Sequence, residues 1–529
     1  MSTESSHHPK HAVAVWASAA SVLALALVWR LLGVTSTQVW RDEAITLIHA
    51  RAPWWELLAK LPWVEDSPSL GFLAFKLWSL VASSELEFRL LPVLAGVATV
   101  GVVMATAARI RKGSGWIAGL LSAFSHVLLH YSQEIRSYSF LALATAACFW
   151  FAENAARGER GYRSLLLLAV SALLAAHCHV AGLLVCPMVV VYLLVRSEGP
   201  ARRRLLWWPA PVLWLAAVVP VICLARHWAP IHAADSSWWV PPLTGSRIAG
   251  LLEAFFGIDP LRFCDLVGGP PLRRWALFGL ERWLIAAPAI LAVAGLFLQQ
   301  TRRQTLALAA AVATYTSLLV IAGTASAPGT AIRTLLPAWI PAVLLMSVGG
   351  AAAARRPGRV GLGIVSAALA LSYAGVWVGY VCWGPDRRPP DQAPFAWLSE
   401  RLGPDDMIVT HPALFEDEVV YYLGHNVAGE QLFTTANPVY HGQPPVHRMV
   451  PRTLDPHFQE RLRAAANTGP RGNGQRGALF VISPIVGREP AMDEALHTLL
   501  PDRYTPSAST ASAHESGVSI QRYAPATTR

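Results

Sequence analysis

The chain has 529 residues, 54% of them hydrophobic and only 14% charged, with a mean hydropathy of +0.39. Soluble domains carry about a quarter charged residues, so a soluble enzyme is excluded and a polytopic membrane protein is expected. The net charge of +10 is almost all arginine, since lysine stands only at positions 10, 60, 76 and 112. The arginines fall in short clusters between apolar runs, which reads as membrane topology and not as a nucleic-acid-binding face.

Residues 1–11 read as a cytoplasmic tail, and the apolar run 12–34 as a retained first span, because it is long and lacks a small-x-small cleavage site. The stretch TSTQVWRDEAITLIHARAPWWE, residues 35–56, follows at once and sets Asp42 beside Glu43. Acidic residues at a helix start commonly serve as caps, and that accounts for the pair about as well as chemistry does. The setting adds to the second reading. AITLIHARA and PWWELLAKLPW are expected to be helices lying in the membrane interface with tryptophan anchors. There a lipid phosphate and a polar acceptor can meet, and a carboxylate can take a proton from an attacking hydroxyl.

Glu65 and Asp66 precede PSLGFLAFKLWSLVAS, residues 68–83, which is short for a span and contains Lys76. Were it to cross, every later basic cluster would lie outside, so it is expected to be juxtamembrane or re-entrant. The second span is then 88–109, followed by 114–132, 137–156, 164–179, 180–195, 205–226, 281–299, 304–324, 332–354 and 359–382. The clusters at 109–112, 157–163, 196–204, 302–303 and 355–359 all become cytoplasmic. Eleven spans put the loops 35–87 and 227–280 and the segment 384–529 together outside.

HYSQEIRSYSF, residues 130–140, gathers Gln133, Glu134, Arg136 and Tyr138 at an outer junction of two spans. Charges at that depth are a functional hypothesis, set against a purely structural Glu134–Arg136 pair. AAHCHVAG places His177 and His179 at another outer end; an i, i+2 pair does not share a helix face, so interfacial histidines are favoured over a metal site. Arg333, in SAPGTAIRTLLPAWIPA, begins a span on the same side and suits a bidentate grip on phosphate or simple snorkelling. The six cysteines show no paired spacing. Beyond residue 384, DDMIVTHPALF, GALFVISPIV and SGVSIQRY read as strands, and DEVVYYLG and DPHFQERLRAAAN as helices. They make up a small extracytoplasmic α/β domain with a flexible loop at 466–476 and disordered chain ends.

WRDEAI, DSPSLGFLAFKLW, LEFRLLPVLAGV, YSQEIRSYSF and IRTLLPAWIPA occur in that order. Together, over residues 12–350, they resemble the GT-C-type glycosyltransferases of the protein O-mannosyltransferase-like superfamily, which includes the lipid A aminoarabinose transferase. The resemblance implies a plasma-membrane (inner-membrane) enzyme that transfers a sugar on the outer face from a polyprenyl-phosphate donor. The acceptor is a glycan, lipid or protein; membrane lipids are partners and nucleic acid is not. Asp42 matches the catalytic carboxylate. Glu43, Asp66, Gln133, Glu134, Arg136, Tyr138, His177 and Arg333 are expected in donor or acceptor binding. No cofactor is certain; some relatives use a divalent metal ion, and if one binds here the ligands are Asp42, Glu43 and Glu134. Two motifs depart from the family. Ser67 and Ser69 stand in a motif that reads His-Pro-Pro-Leu, and Thr334 follows Arg333 where tyrosine is usual.

No phosphate-binding loop or dinucleotide fingerprint occurs, consistent with a lipid-linked donor. A transporter calls for buried acids mid-span and broken helices in two corresponding halves. A catalytically silent relative, anchoring a tail that binds an envelope partner, is the other alternative.

Overall fold

The computed structural model describes residues 8–34, 39–60, 70–159, 161–197, 296, 301–325, 332–353, 392–410, 416–424, 431–434, 462–465, 477–484, 504–509 and 518–525. The expected spans 205–226, 281–299 (residue 296 apart) and 359–382, the loop 227–280, Asp66, the segment 466–476 and the chain ends 1–7 and 526–529 lie outside the described residues.

Helix α1 (His8–Leu31) is followed by two short helices, α2 (Arg41–Arg51) and α3 (Trp54–Lys60), and then α4 (Leu70–Trp78). Next come α5 (Glu85–Ile110), α6 (Gly115–Ala123), α7 (His126–Tyr131), α8 (Tyr138–Ala156) and α9 (Gly161–Cys178). A 3-10 turn (Val180–Leu184) leads into α10 (Val185–Arg196); α11 (Arg302–Ala325) and α12 (Ile332–Ala353) complete the bundle. Four helices are long and apolar enough to cross a membrane, Glu85–Ile110, Tyr138–Ala156, Arg302–Ile321 and Arg333–Ala352. The chain is a multi-pass membrane protein.

Local chemistry sets the helix ends. Ser84 opens α5 as a capping box: its hydroxyl accepts from the Glu87 N–H at 3.3 Å while Glu87 Oε2 accepts from the Ser84 N–H at 2.9 Å. The expected span 114–132 is broken between α6 and α7, where the Ser125 hydroxyl accepts from the Leu128 N–H and starts a new helix. α4 has nine residues, too short to span. Its lysine has a local use: Lys76 Nζ donates to the carbonyls of Ala50 and Ala52 at 3.1 and 2.5 Å. The ammonium thus caps the negative end of α2. α2 is not an interfacial helix. Residues 42–47 are all buried, because the helix packs between α4 and the C-terminal segment. α3 does keep Trp54, Trp55 and Leu58 exposed, the apolar face expected at a membrane surface.

Lipid offers no hydrophobic drive between helices, so close packing has to hold them. Helix α12 is buried along nearly its whole length, its prolines 337 and 341 included, and α5, α6, α8, α10 and α11 share one apolar core with it. Gly96 of α5 lets the α7–α8 turn in: a Cβ there would sit 2.5 Å from Ser132 Cβ and 2.8 Å from Arg30 Nε. At the far end of α8, the buried Glu153 accepts from Arg157 Nε and Arg196 Nη2, both at 2.8 Å, and from the Tyr192 hydroxyl at 2.7 Å. Cys148, Cys178 and Cys186 are free and buried.

The C-terminal segment adds α13 (Gln392–Ser399), β1 (Met407–Thr410), α14 (Glu416–Leu423), β2 (Leu432–Thr434), β3 (Leu479–Pro484), β4 (Tyr504–Ser509) and β5 (Val518–Pro525). The sheet order is β2-β1-β3-β5-β4. β1 runs parallel to β2 and β3, and β5 antiparallel to β3 and β4. Phe395, Leu398, Ile408, Val419, Phe480, Ile482 and Ile520 form its core. The three expected strands are present; β2 and β4 are additional, too polar or too short to stand out in the sequence.

Candidate active site

Trp40 is extended and α2 starts at Arg41, so Asp42 and Glu43 both fall in the first helical turn. Successive residues on a helix point about 100° apart, and the two acids accordingly meet different partners. Glu43 is fully buried and accepts from Arg89 in a fork, Nη1 to Oε1 at 2.7 Å and Nη2 to Oε2 at 2.9 Å. It also accepts from the Ile135 N–H at 2.9 Å and, at 3.4 Å, from the Trp40 N–H. The capping reading is therefore right for Glu43, with an ion pair added to it. Arg89 completes the tie by donating to the Gln133 carbonyl at 2.6 Å.

Asp42 faces another cation. Its Oδ2 lies 3.5 Å from Arg333 Nη1, a loose contact, and the Arg333 side chain is 27% exposed against 8% for Asp42. Arg333 Nη1 also donates to the Tyr138 hydroxyl at 3.3 Å. Arg136 pins the same helical turn by its main chain. Its Nη1 donates to the Asp42 carbonyl at 3.0 Å and to Thr46 Oγ1 at 3.3 Å. Its guanidinium lies 6.0 Å from the Tyr138 ring centre. Asp42, Arg136, Tyr138 and Arg333, taken from α2, the α7–α8 turn, α8 and α12, thus converge on one place. Two arginines beside an acid and a phenol can hold a phosphate while the acid handles a proton.

The other expected residues surround this group. Gln133 Nε2 donates to the carbonyls of Arg30 and Leu32 at 2.8 and 2.9 Å, satisfying two carbonyls that the end of α1 leaves open. Glu134 Oε1 lies 3.0 Å from His130 Nε2, a histidine one turn earlier. It is His179, not His177, whose ring packs on Tyr138, with centres 5.5 Å apart. His179 Nδ1 accepts from the Ala181 N–H at 3.1 Å, which leaves the proton on Nε2. His177 lies within the last turn of α9, which ends at Cys178, and His179 follows in the turn. Gly182 permits that turn: a Cβ there would lie 2.0 Å from the Ala175 carbonyl oxygen.

Sequence reasoning also missed Arg89, quoted in LEFRLLP but given no role, and Tyr315. The Tyr315 hydroxyl donates to the Thr334 carbonyl at 2.6 Å and lies 3.2 Å from that of Ala181, tying the start of α12 to the His179 turn. The departure at Thr334 has a counterpart: the phenol beside Arg333 comes from Tyr138.

Asp42, Glu43 and Glu134 do not fit a divalent ion as a set. Both Glu43 oxygens are taken by Arg89, and Glu134 is turned to His130. Among the described residues no three His, Cys, Asp or Glu side chains gather as ligands.

Comparisons with known proteins bear on the fold that carries this cluster. Residues 66–225 match the family described as dolichyl-phosphate-mannose-protein mannosyltransferase. Over 97% of this chain and 98% of the other, the fold is similar to apo ArnT from Cupriavidus metallidurans, with TM-score 0.60 at 15% identity. The same protein bound to undecaprenyl phosphate gives 0.59 at 14% identity, over 95% and 97%. The Archaeoglobus fulgidus oligosaccharyltransferase, in complex with zinc and sulfate, gives 0.51 at 12% identity, over 88% and 67%. No curated protein sequence matches the chain. The chain thus shares the fold of the GT-C membrane glycosyltransferase structures, and the family match extends over residues 66–225.

Proposed function

We propose that this protein transfers a sugar from a polyprenyl-phosphate donor to an acceptor hydroxyl, with Asp42 as general base. The observation that carries the reading is the convergence of Asp42, Arg136, Tyr138 and Arg333 from four separate elements on one place, with Asp42 Oδ2 3.5 Å from the partly exposed Arg333 guanidinium. A base has to be able to exchange its partner for a substrate proton. The family signature in residues 66–225 and the undecaprenyl phosphate bound to a protein of the same fold support a lipid-linked donor.

In the reaction the acceptor O–H gives its proton to Asp42 and its oxygen attacks the anomeric carbon. The bond from that carbon to the phosphate oxygen breaks in line, inverting the centre. The leaving polyprenyl phosphate takes the electron pair and is met by Arg333, a stable phosphate anion that needs positive charge more than an acid. Arg136 and Thr46 hold the turn that carries Asp42, and Tyr138 and His179 line the approach to Arg333. The topology assigned from basic clusters puts this end on the outer face of the plasma membrane, with residues 384–529 as an extracytoplasmic domain and 1–11 inside. Glycan, lipid and protein acceptors all supply the required hydroxyl.

The test is transfer of radiolabelled sugar from synthetic polyprenyl-phosphate mannose, glucose or arabinose to a membrane extract, by purified wild-type and Asp42→Asn protein. Label moving only with the wild type supports both the reaction and the base. Equal transfer by the two proteins overturns the role of Asp42, and no transfer from any donor by folded protein favours the silent relative.

A further inference from the structure

Helix α14 of the C-terminal segment lies on α2, the helix of Asp42, and three contacts define the seat. The Tyr422 hydroxyl donates to the Val39 carbonyl at 2.6 Å. Val39 is buried and precedes Trp40, the residue at which α2 is capped. The Tyr421 hydroxyl donates to Glu85 Oε1 at 2.6 Å, at the first residue of α5. At the other end of α2, the Arg51 guanidinium sits between the rings of Phe88 and Tyr421, at 5.7 and 5.9 Å.

These contact points fall where they bear on the site. Val39 is three residues before Asp42. Glu85 is four residues, one helical turn, before Arg89, the arginine that grips Glu43. Two neighbouring tyrosines therefore hold the chain four residues before each partner of the ion pair that fixes the first turn of α2. A buried carbonyl at Val39 left without a donor is costly, so the hydroxyl of Tyr422 has a specific task. The Tyr422 ring is in turn stacked on Phe395 at 5.0 Å and 16°, and Phe395 belongs to the core beneath the sheet. A continuous packed path thus runs from the sheet through Phe395 and Tyr422 to the cap of α2. Burial, and after it the Glu85 carboxylate, pushes the Tyr421 hydroxyl above the ordinary phenol range, so it remains a donor across neutral pH.

We infer that the C-terminal domain is part of the catalytic apparatus, with Tyr421 and Tyr422 as positioning residues that set the first turn of α2 and so the placement of Asp42. The inference rests on the reading of Asp42 as the base, but the coupling of α14 to α2 can be measured without it. A misplacement of a catalytic group by about 1 Å can cost up to about 100-fold in rate, and loss of one hydroxyl should cost part of that.

The experiment uses the full-length protein in nanodiscs and the variant Tyr422→Phe, which deletes one oxygen and keeps the stack on Phe395. The expected result is a kcat about tenfold lower with the KM for polyprenyl-phosphate sugar unchanged. Hydrogen exchange should speed up at the first-turn amides of α2, Ala44 among them, with the amides of β1 and β3 unaffected. Tyr421→Phe should give a smaller change of the same kind. Wild-type exchange at α2 in Tyr422→Phe overturns the inference, and so does loosening of β1 and β3 along with α2, which would make the effect one of domain folding. If Asp42→Asn retains full transfer, the reading of the base fails on its own, and the exchange data still decide whether the domain holds α2.

Discussion

The two ends of α8 bury carboxylates among arginines and treat them in opposite ways. Glu153, about 22 Å along the helix from Tyr138, is saturated by Arg157, Arg196 and the Tyr192 hydroxyl at 2.7–2.8 Å. Two of the donors come from α10 and the third from the turn after α8, so the cluster ties the far end of α8 to α10. At the Tyr138 end, Asp42 and Arg333 stand 3.5 Å apart with the arginine partly exposed. A saturated buried pair is hard to break and has nothing left to offer a substrate. A loose, partly solvated pair can be opened by one. Within a single turn of α2 the two distances stand side by side, Glu43 at 2.7 Å from Arg89 and Asp42 at 3.5 Å from Arg333.

Substitutions can break or sharpen that contrast. The largest effect is expected for Asp42→Asn: transfer should fall by about 10²–10⁴-fold while the thermal midpoint in detergent stays at the wild-type value. A fall in both would place Asp42 with the structural pairs. Arg89→Met should do the reverse, leaving Glu43 buried without its partner and costing about 3–5 kcal/mol of stability, read as a loss of folded protein in size-exclusion profiles. Glu153→Gln should cost about 2–3 kcal/mol, with transfer per folded molecule unchanged; a lowered kcat would show that the far end is not merely structural. Arg333→Lys keeps the charge and loses the fork, and should raise the KM for the lipid donor about tenfold, ~1.4 kcal/mol, with stability untouched.

Much of this was legible in the residues. Long apolar runs have one outcome in lipid, where every backbone group needs an internal partner, and α1, α5, α8, α11 and α12 match their expected bounds within a few residues. Motifs with charges beside hydrocarbon pointed to Asp42, Arg136, Tyr138 and Arg333, and those four do converge. Glu43 was legible as a cap but not as an ion-pair partner, and Gln133 not as scaffold, because Arg89 and the end of α1 lie 46 and 103 positions away. His177 and His179 differed only in where a helix would stop, a matter settled by Gly182 fitting against Ala175. The breaking of 114–132 into α6 and α7 turned on one serine cap.

The sequence alone determined that the chain crosses a membrane, that its C-terminal segment forms strands and short helices, and which few polar side chains sit at span ends. Composition and periodicity act locally and need no knowledge of neighbours. Only the tertiary structure decided which acid is locked and which is loose, and that α14 seats on the helix of Asp42. Those outcomes depend on distances between segments far apart in the chain, and in a packed interior a few tenths of an ångström separate a closed ion pair from an open one.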